Sequence, residues 1–130
     1  MKRLFILLLT LMLLTGCTAR PSAGTYRQIT AQEAAELMES ETGYIVLDVR
    51  TPAEYAERHI PGAINVPNET IGSTAPEQLP DRKQLILVYC RSGNRSKQAA
   101  GKLAKLGYTN VLEFGGINTW TGQTVSGAQD

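Results

Sequence analysis

The stretch Gln84-Leu-Ile-Leu-Val-Tyr-Cys-Arg-Ser-Gly-Asn-Arg-Ser96 joins a continuous apolar run to a small-residue loop carrying two arginines. An apolar run this short, with no polar alternation, reads as a strand buried on both faces. Beyond the loop, Ala99, Ala100, Leu103, Ala104 and Leu106 recur at helical spacing, and Gly107 supplies a stop, so a helix is expected from about Arg95 to Leu106. The unit is strand, loop, helix. Cys90 then falls at the carboxyl end of the strand, where open α/β sheets present their reactive groups.

Working outward, the same alternation repeats. Tyr44-Ile-Val-Leu-Asp-Val49 follows Gly43 and reads as a second buried strand. Thr30-Ala-Gln-Glu33 is a capping box opening a helix to about Met38 that buries Ala34, Leu37 and Met38. Thr51-Pro-Ala-Glu54 repeats the box with Pro52 at the first helical position, predicting a short helix to about Arg58. Short strands are expected near Ala63 to Val66 and at Val111 and Leu112, and one short helix near Pro76 to Leu79. Such βα alternation predicts an α/β fold with a mostly parallel central sheet and helices on both faces.

The N-terminus has a different character. Lys2 and Arg3 precede the apolar run Leu4 to Leu14, which holds seven leucines and ends in Leu14-Thr15-Gly16-Cys17. A positive start, a short apolar run and small residues describe an export signal, too short for a permanent membrane span. Leu14-Thr15-Gly16-Cys17 resembles the lipobox of bacterial lipoproteins, which implies lipidation of Cys17 and anchoring to a membrane through acyl chains. The expected layout is a signal peptide over 1–16, a lipidated N-terminus and tether over 17–25, a folded domain over 26–124 and a tail over 125–130. The expected location is the bacterial cell envelope, periplasm-facing in a Gram-negative cell.

Charge and cysteine content narrow the chemistry. The chain has 130 residues, 13 basic and 12 acidic, so no basic excess points to nucleic acid as a partner. A single histidine and two cysteines provide no multi-residue metal site, and with Cys17 lipidated or removed Cys90 is left as an unpaired thiol. Ser92, Gly93 and Asn94 let the loop curl with its N–H groups inward as an anion nest at a helix N-terminus. Arg91 and Arg95 add positive charge, and all of these features favour a thiolate at Cys90. Such a thiolate is a nucleophile suited to attack on sulfur.

Three segments carry a family resemblance: Asp48-Val-Arg-Thr-Pro-Ala-Glu-Tyr55 with His59-Ile-Pro-Gly-Ala-Ile-Asn-Val-Pro67, then Tyr89 to Ser96, then Gly115-Gly-Ile-Asn-Thr-Trp120. Together, in this order, they closely resemble the rhodanese (thiosulfate sulfurtransferase) family, in its small single-domain periplasmic form. The resemblance implies a three-layer rhodanese-like fold, no cofactor, and sulfur transfer through a Cys90 persulfide. Thiosulfate or another anionic sulfane-sulfur donor would supply the sulfur, and cyanide or a thiol would accept it. Arg91, Ser92, Gly93, Asn94 and Arg95 would form the active-site loop, with Arg91 and Arg95 as donor contacts. Phosphatase relatives have a loop one residue longer; here Ser96 occupies the sixth position after Cys90, which disfavours phosphate. The alternative is a non-catalytic rhodanese-type module that binds a partner or senses sulfur.

Other chemistry-bearing residues read as structural. Asp48 and Arg50 suit an ion pair, His59 a turn, and Trp120 packing. Gly115 and Gly116 mark a tight backbone passage rather than a phosphate loop, since no GxGxxG or P-loop pattern surrounds them.

Overall fold

The computed structural model describes residues 24–129. The export signal, Cys17 and most of the tether lie outside the described residues. Five strands form one parallel sheet: β1 (Arg27–Gln28), β2 (Ile45–Asp48), β3 (Ile64–Asn65), β4 (Ile86–Cys90) and β5 (Val111–Gly116), in the order β1-β5-β4-β2-β3. Three helices connect them: α1 (Ala31–Ser40), α2 (Pro52–Glu57) and α3 (Asn94–Lys105).

The period-two geometry of a strand sorts the side chains between two cores. Leu47, Ile86, Val88, Cys90 and Val111 face α3 and pack with Ala99, Ala100 and Leu103. Val46, Leu87, Tyr89, Leu112 and Phe114 face the other way and pack with Ala34 of α1 and Tyr55 of α2. The result is three layers, with helices on both faces as expected. The central strand β4 is apolar throughout, ILVYC, because neither of its faces meets water.

Both capping boxes form. Thr30 Oγ1 accepts from Glu33 N at 3.0 Å while Glu33 Oε2 accepts from Thr30 N at 2.7 Å. Thr51 and Glu54 repeat the exchange at the start of α2, with Pro52 at the first helical position. Caps of this kind stabilise a helix by roughly 1 kcal/mol each.

The connections also fix where a site can lie. After β2 the chain crosses by α2 to β3 on one side; after β4 it crosses by α3 to β5 on the other. The strand order therefore reverses between β2 and β4, and their carboxyl ends flank the crevice such sheets use for ligands. Cys90 is the last residue of β4.

Several expectations need correction. The stretch Pro76 to Leu79 is not a helix but a turn closed by Leu79 N on Pro76 O at 3.1 Å, and a single 3-10 turn forms instead at Asn68–Thr70. Leu37 and Met38 are half-buried, and only Ala34 of α1 is fully covered. Strand β5 runs four residues past Leu112, to Gly116, and β1 pairs along it although its sequence carries no apolar signal. Residues 125–129, expected as a tail, are exposed and are hydrogen-bonded back to the domain. Val125 and His59 exchange two backbone hydrogen bonds of 2.9 Å, Gly127 N reaches Ala56 O at 2.8 Å, and Gln129 Oε1 accepts from Asn65 N. That last contact covers part of β3, the sheet edge.

Candidate active site

Strand β4 ends at Cys90 and the chain turns through Arg91, Ser92 and Gly93 into α3. Gly93 takes φ 113°, a left-handed conformation that L side chains rarely adopt, and this turn brings its N–H back to Cys90 Sγ at 3.0 Å. The turn therefore depends on glycine. Burial pushes the Cys90 thiol up, but hydrogen bonds from the Ser96 side chain and from the N–H groups of Ser96, Gly93 and Ser92 more than offset it. The net direction is downward, toward the thiolate.

The neighbouring strand makes room for this loop. Between Val88 and Cys90 the register against β5 shifts, so that Val88 faces Glu113 while Cys90 faces Gly116. The extra residue bulges β5 at Phe114 and Gly115, and Gly115 has φ 83°. A Cβ at Gly116 would lie 1.9 Å from Arg91 O, an impossible contact. The paired glycines are thus a close backbone passage, as their sequence suggested. Asn118 N then donates to Arg91 O at 3.2 Å and pins the loop from the far side.

The two loop arginines differ. Arg95 is held by Glu54 of α2, Nη1 to Oε1 at 2.7 Å and Nη2 to Oε2 at 3.0 Å. This bidentate pair bridges the starts of α2 and α3 across the crevice. Arg95 in turn holds the Glu54 carboxyl down at about 2, helped by hydrogen bonds from Thr51 and opposed by burial. Arg91 instead points outward and lines a cavity of about 210 Å³ with Arg50, Glu54, Glu57, Arg58, Ile117 and Asn118. That volume holds several waters or one small anion.

Beneath the cavity a buried network fixes the crevice floor. Arg50 Nη2 donates to Asp48 Oδ2 at 2.7 Å and also to Arg58 O. Tyr89 Oη donates to the same Asp48 oxygen at 2.7 Å and accepts from Ile60 N at 3.1 Å. Burial, reinforced by Asp48, pushes the Tyr89 phenol far above its ordinary range, so it remains a hydrogen-bond donor. His59 stacks on Tyr55 at 3.7 Å and its Nδ1 contacts Tyr55 O at 2.7 Å. Asp48, Arg50 and His59 are engaged in these contacts, with Arg50 also lining the cavity, and Trp120 packs on Phe114 at 6.1 Å.

Two side chains at this site were not singled out by the sequence. Ser96 is fully buried on the first turn of α3, and its Oγ lies 3.3 Å from Cys90 Sγ and 2.7 Å from Glu113 Oε1. Glu113 is a buried carboxylate on β5 that also accepts from Gly115 N at 2.7 Å. The available signal was a charge between Leu112 and Phe114, on the strand parity that faces α3.

Known proteins are similar to this chain in sequence and fold. The chain is 38% identical over 71 residues to the thiosulfate sulfurtransferase PspE of Escherichia coli (strain K12), covering 55% of this chain and 68% of that one. It is 36% identical over 94 residues to a sulfurtransferase of Allochromatium vinosum, covering 72% and 86%. Among solved structures, a rhodanese with anions from E. coli superposes with a TM-score of 0.57 at 34% identity, covering 65% of this chain and 99% of that one. A rhodanese-related protein from Thermoplasma volcanium gives 0.65 at 33% identity, covering 77% and 98%. A model of the family described as the rhodanese-like domain matches residues 30–123, most of the chain, and the chain therefore belongs to that family.

Proposed function

We propose that the protein is a sulfurtransferase that carries sulfur as a persulfide on Cys90. The observation that carries this reading is the ring of donors around Sγ, with Gly93 N at 3.0 Å, which lowers the thiol toward its nucleophilic form. The thiolate attacks the outer sulfur of thiosulfate. The S–S bond of the donor breaks, sulfite departs with the bonding pair, and Cys90 keeps the sulfur as an anionic persulfide. A nucleophilic acceptor then attacks the outer persulfide sulfur and restores the thiolate. Cyanide leaves as thiocyanate, and a thiolate leaves as a new persulfide.

Each loop residue has a part in this account. Gly93, Asn94 and Ser92 keep the backbone amides turned inward, where they replace water around the sulfur anion. Arg91, at the cavity mouth with Arg58, draws in the anionic donor. Arg95, already engaged by Glu54, braces the loop and contributes its charge from the side. The names of the relatives, thiosulfate sulfurtransferase and sulfurtransferase, support the same reaction class. Purified protein incubated with thiosulfate and cyanide should form thiocyanate at a rate that Cys90→Ala abolishes; equal rates for the two would refute the reading. A pure binding or sensing module would also give no turnover.

The proposed setting is the cell envelope. Residues 1–16 direct export, Cys17 carries the lipid, residues 17–25 tether the domain, and the chain from 26 onward folds. Unchanged palmitate incorporation in Cys17→Ala would remove the anchor from this picture.

A further inference from the structure

The carboxylate of Glu113 has no place in the mechanism above, yet it is buried directly behind the nucleophile. It rests on an apolar-flanked strand position, between Leu112 and Phe114, where a charge costs several kcal/mol unless it is held. What holds it is Gly115 N at 2.7 Å and the hydroxyl of Ser96 at 2.7 Å. Ser96 Oγ has one proton and three acceptors within reach, Glu113 Oε1 at 2.7 Å, Gly93 O at 3.0 Å and Gly115 O at 3.2 Å, while it accepts from the Cys90 thiol at 3.3 Å; once Cys90 ionises, the thiolate becomes a fourth acceptor. The nearest acceptor is also a charged one. Glu113 and the thiolate therefore compete for a single hydroxyl proton.

We propose that Glu113, acting through the Ser96 hydroxyl, limits how tightly the loop holds the Cys90 thiolate and so preserves its nucleophilic strength. Glu113 is a positioning residue: it touches the Ser96 hydroxyl and the β5 backbone at Gly115, not the reacting sulfur. When the hydroxyl turns to the carboxylate, the sulfur is left to the backbone amides, and a less stabilised thiolate attacks faster. The nucleophilicity of a thiolate falls as its proton affinity falls, with a Brønsted slope of about 0.4 to 0.5 in exchange with disulfides. A loop that held the sulfur anion with every donor would raise its population and blunt its attack. The proposal rests on Cys90 being the nucleophile, but its test needs no sulfur donor.

Other charges face the same sulfur and must be constant across the comparison. Arg91 adjoins it in sequence, and Arg95 senses its charge from within a pair with Glu54 of α2 and under the field of Glu69. Lys97 of α3 passes Gly93, and it shares with Glu113 the rim of an open groove between β5 and the start of α1. Asp48 at the end of β2 and Arg50 just beyond it neutralise one another on the opposite face, beside Tyr89. None of these is changed by substitution at Glu113 or Ser96.

The test is the pH dependence of thiol–disulfide exchange at Cys90 with 4,4′-dithiodipyridine, an uncharged probe, in the full-length chain. Quenched samples are read by mass spectrometry of the Cys90 peptide, which separates it from Cys17. In Glu113→Gln, which keeps the shape and removes the charge, the midpoint should move to lower pH by about one unit. The limiting rate at high pH should fall about threefold for each unit of that displacement. Ser96→Ala should raise the midpoint more in the Glu113→Gln background than alone, because only there is the hydroxyl free to serve the sulfur. A midpoint that stays or rises, a limiting rate that does not fall, or an equal Ser96→Ala effect in both backgrounds overturns the proposal. Should Glu113→Gln not fold, Glu113→Asp withdraws the acceptor from Ser96 and must still displace the midpoint downward.

Discussion

Replacing Glu54 by Gln should weaken the domain by an amount that depends on pH in one definite way. The carboxyl of Glu54 is lowered from 4.5 to about 2, chiefly by the hydrogen bond from Arg95. At about 1.4 kcal/mol per unit, the full shift would correspond to roughly 3 kcal/mol. Both side chains are about a third exposed, 32% for Arg95 and 29% for Glu54, so solvent screens much of this and the expected loss is about 1 kcal/mol. Gln retains the capping role at the third position of α2, which isolates the ion pair. In a domain of about a hundred residues such a loss lowers Tm by roughly 4–8 °C. Because the folded carboxyl is the stronger acid, its stabilisation is complete above the unfolded value and fades as pH falls from about 4.5 through about 2. Urea unfolding of both proteins from pH 7 to pH 2 measures this. The two stability curves should be separated at neutral pH and converge in acid; curves that coincide at pH 7, or stay parallel into acid, would refute the reasoning.

The close passage makes a sharper demand on geometry. Gly116→Ala would drive a methyl into Arg91 O, displacing the loop, and thiocyanate formation should fall by about a hundredfold while circular dichroism stays near that of the parent. Tyr89→Phe removes the donor to Asp48 and the acceptor for Ile60 N, and urea unfolding should register a loss of about 1–3 kcal/mol. The folded loop should make Cys90 react with 4,4′-dithiodipyridine at a pH midpoint below that of the same cysteine in the chain unfolded in urea. Equal midpoints would mean that the loop donors do not outweigh burial.

What could be read from the sequence was local. Each capping box pairs residues three apart, so Thr30 with Glu33 and Thr51 with Glu54 announce their helices unaided. The Cys90 loop lies between a strand and a helix whose patterns are both strong, which placed the cysteine and its turn together. The hidden features depend on partners far along the chain. Glu54 reads as a cap, and only folding brings Arg95, 41 residues away, to its other side. Glu113 meets Ser96 across 17 residues and a strand bulge. Strand β1 has two exposed residues and is defined by backbone pairing to β5, for which no side-chain pattern is needed. The closing segment 125–129, Val-Ser-Gly-Ala-Gln, has no periodic apolar pattern, and backbone and side-chain hydrogen bonds hold it to α2, His59 and β3.

The central claim is that Cys90 carries the transferred sulfur, and mass measurement tests it most directly. The purified full-length protein, exposed to thiosulfate and cleared of it, should gain the mass of one sulfur atom on the Cys90 peptide, and cyanide should then remove it as an equal amount of thiocyanate. A Cys90 peptide whose mass is unchanged by thiosulfate would contradict the account.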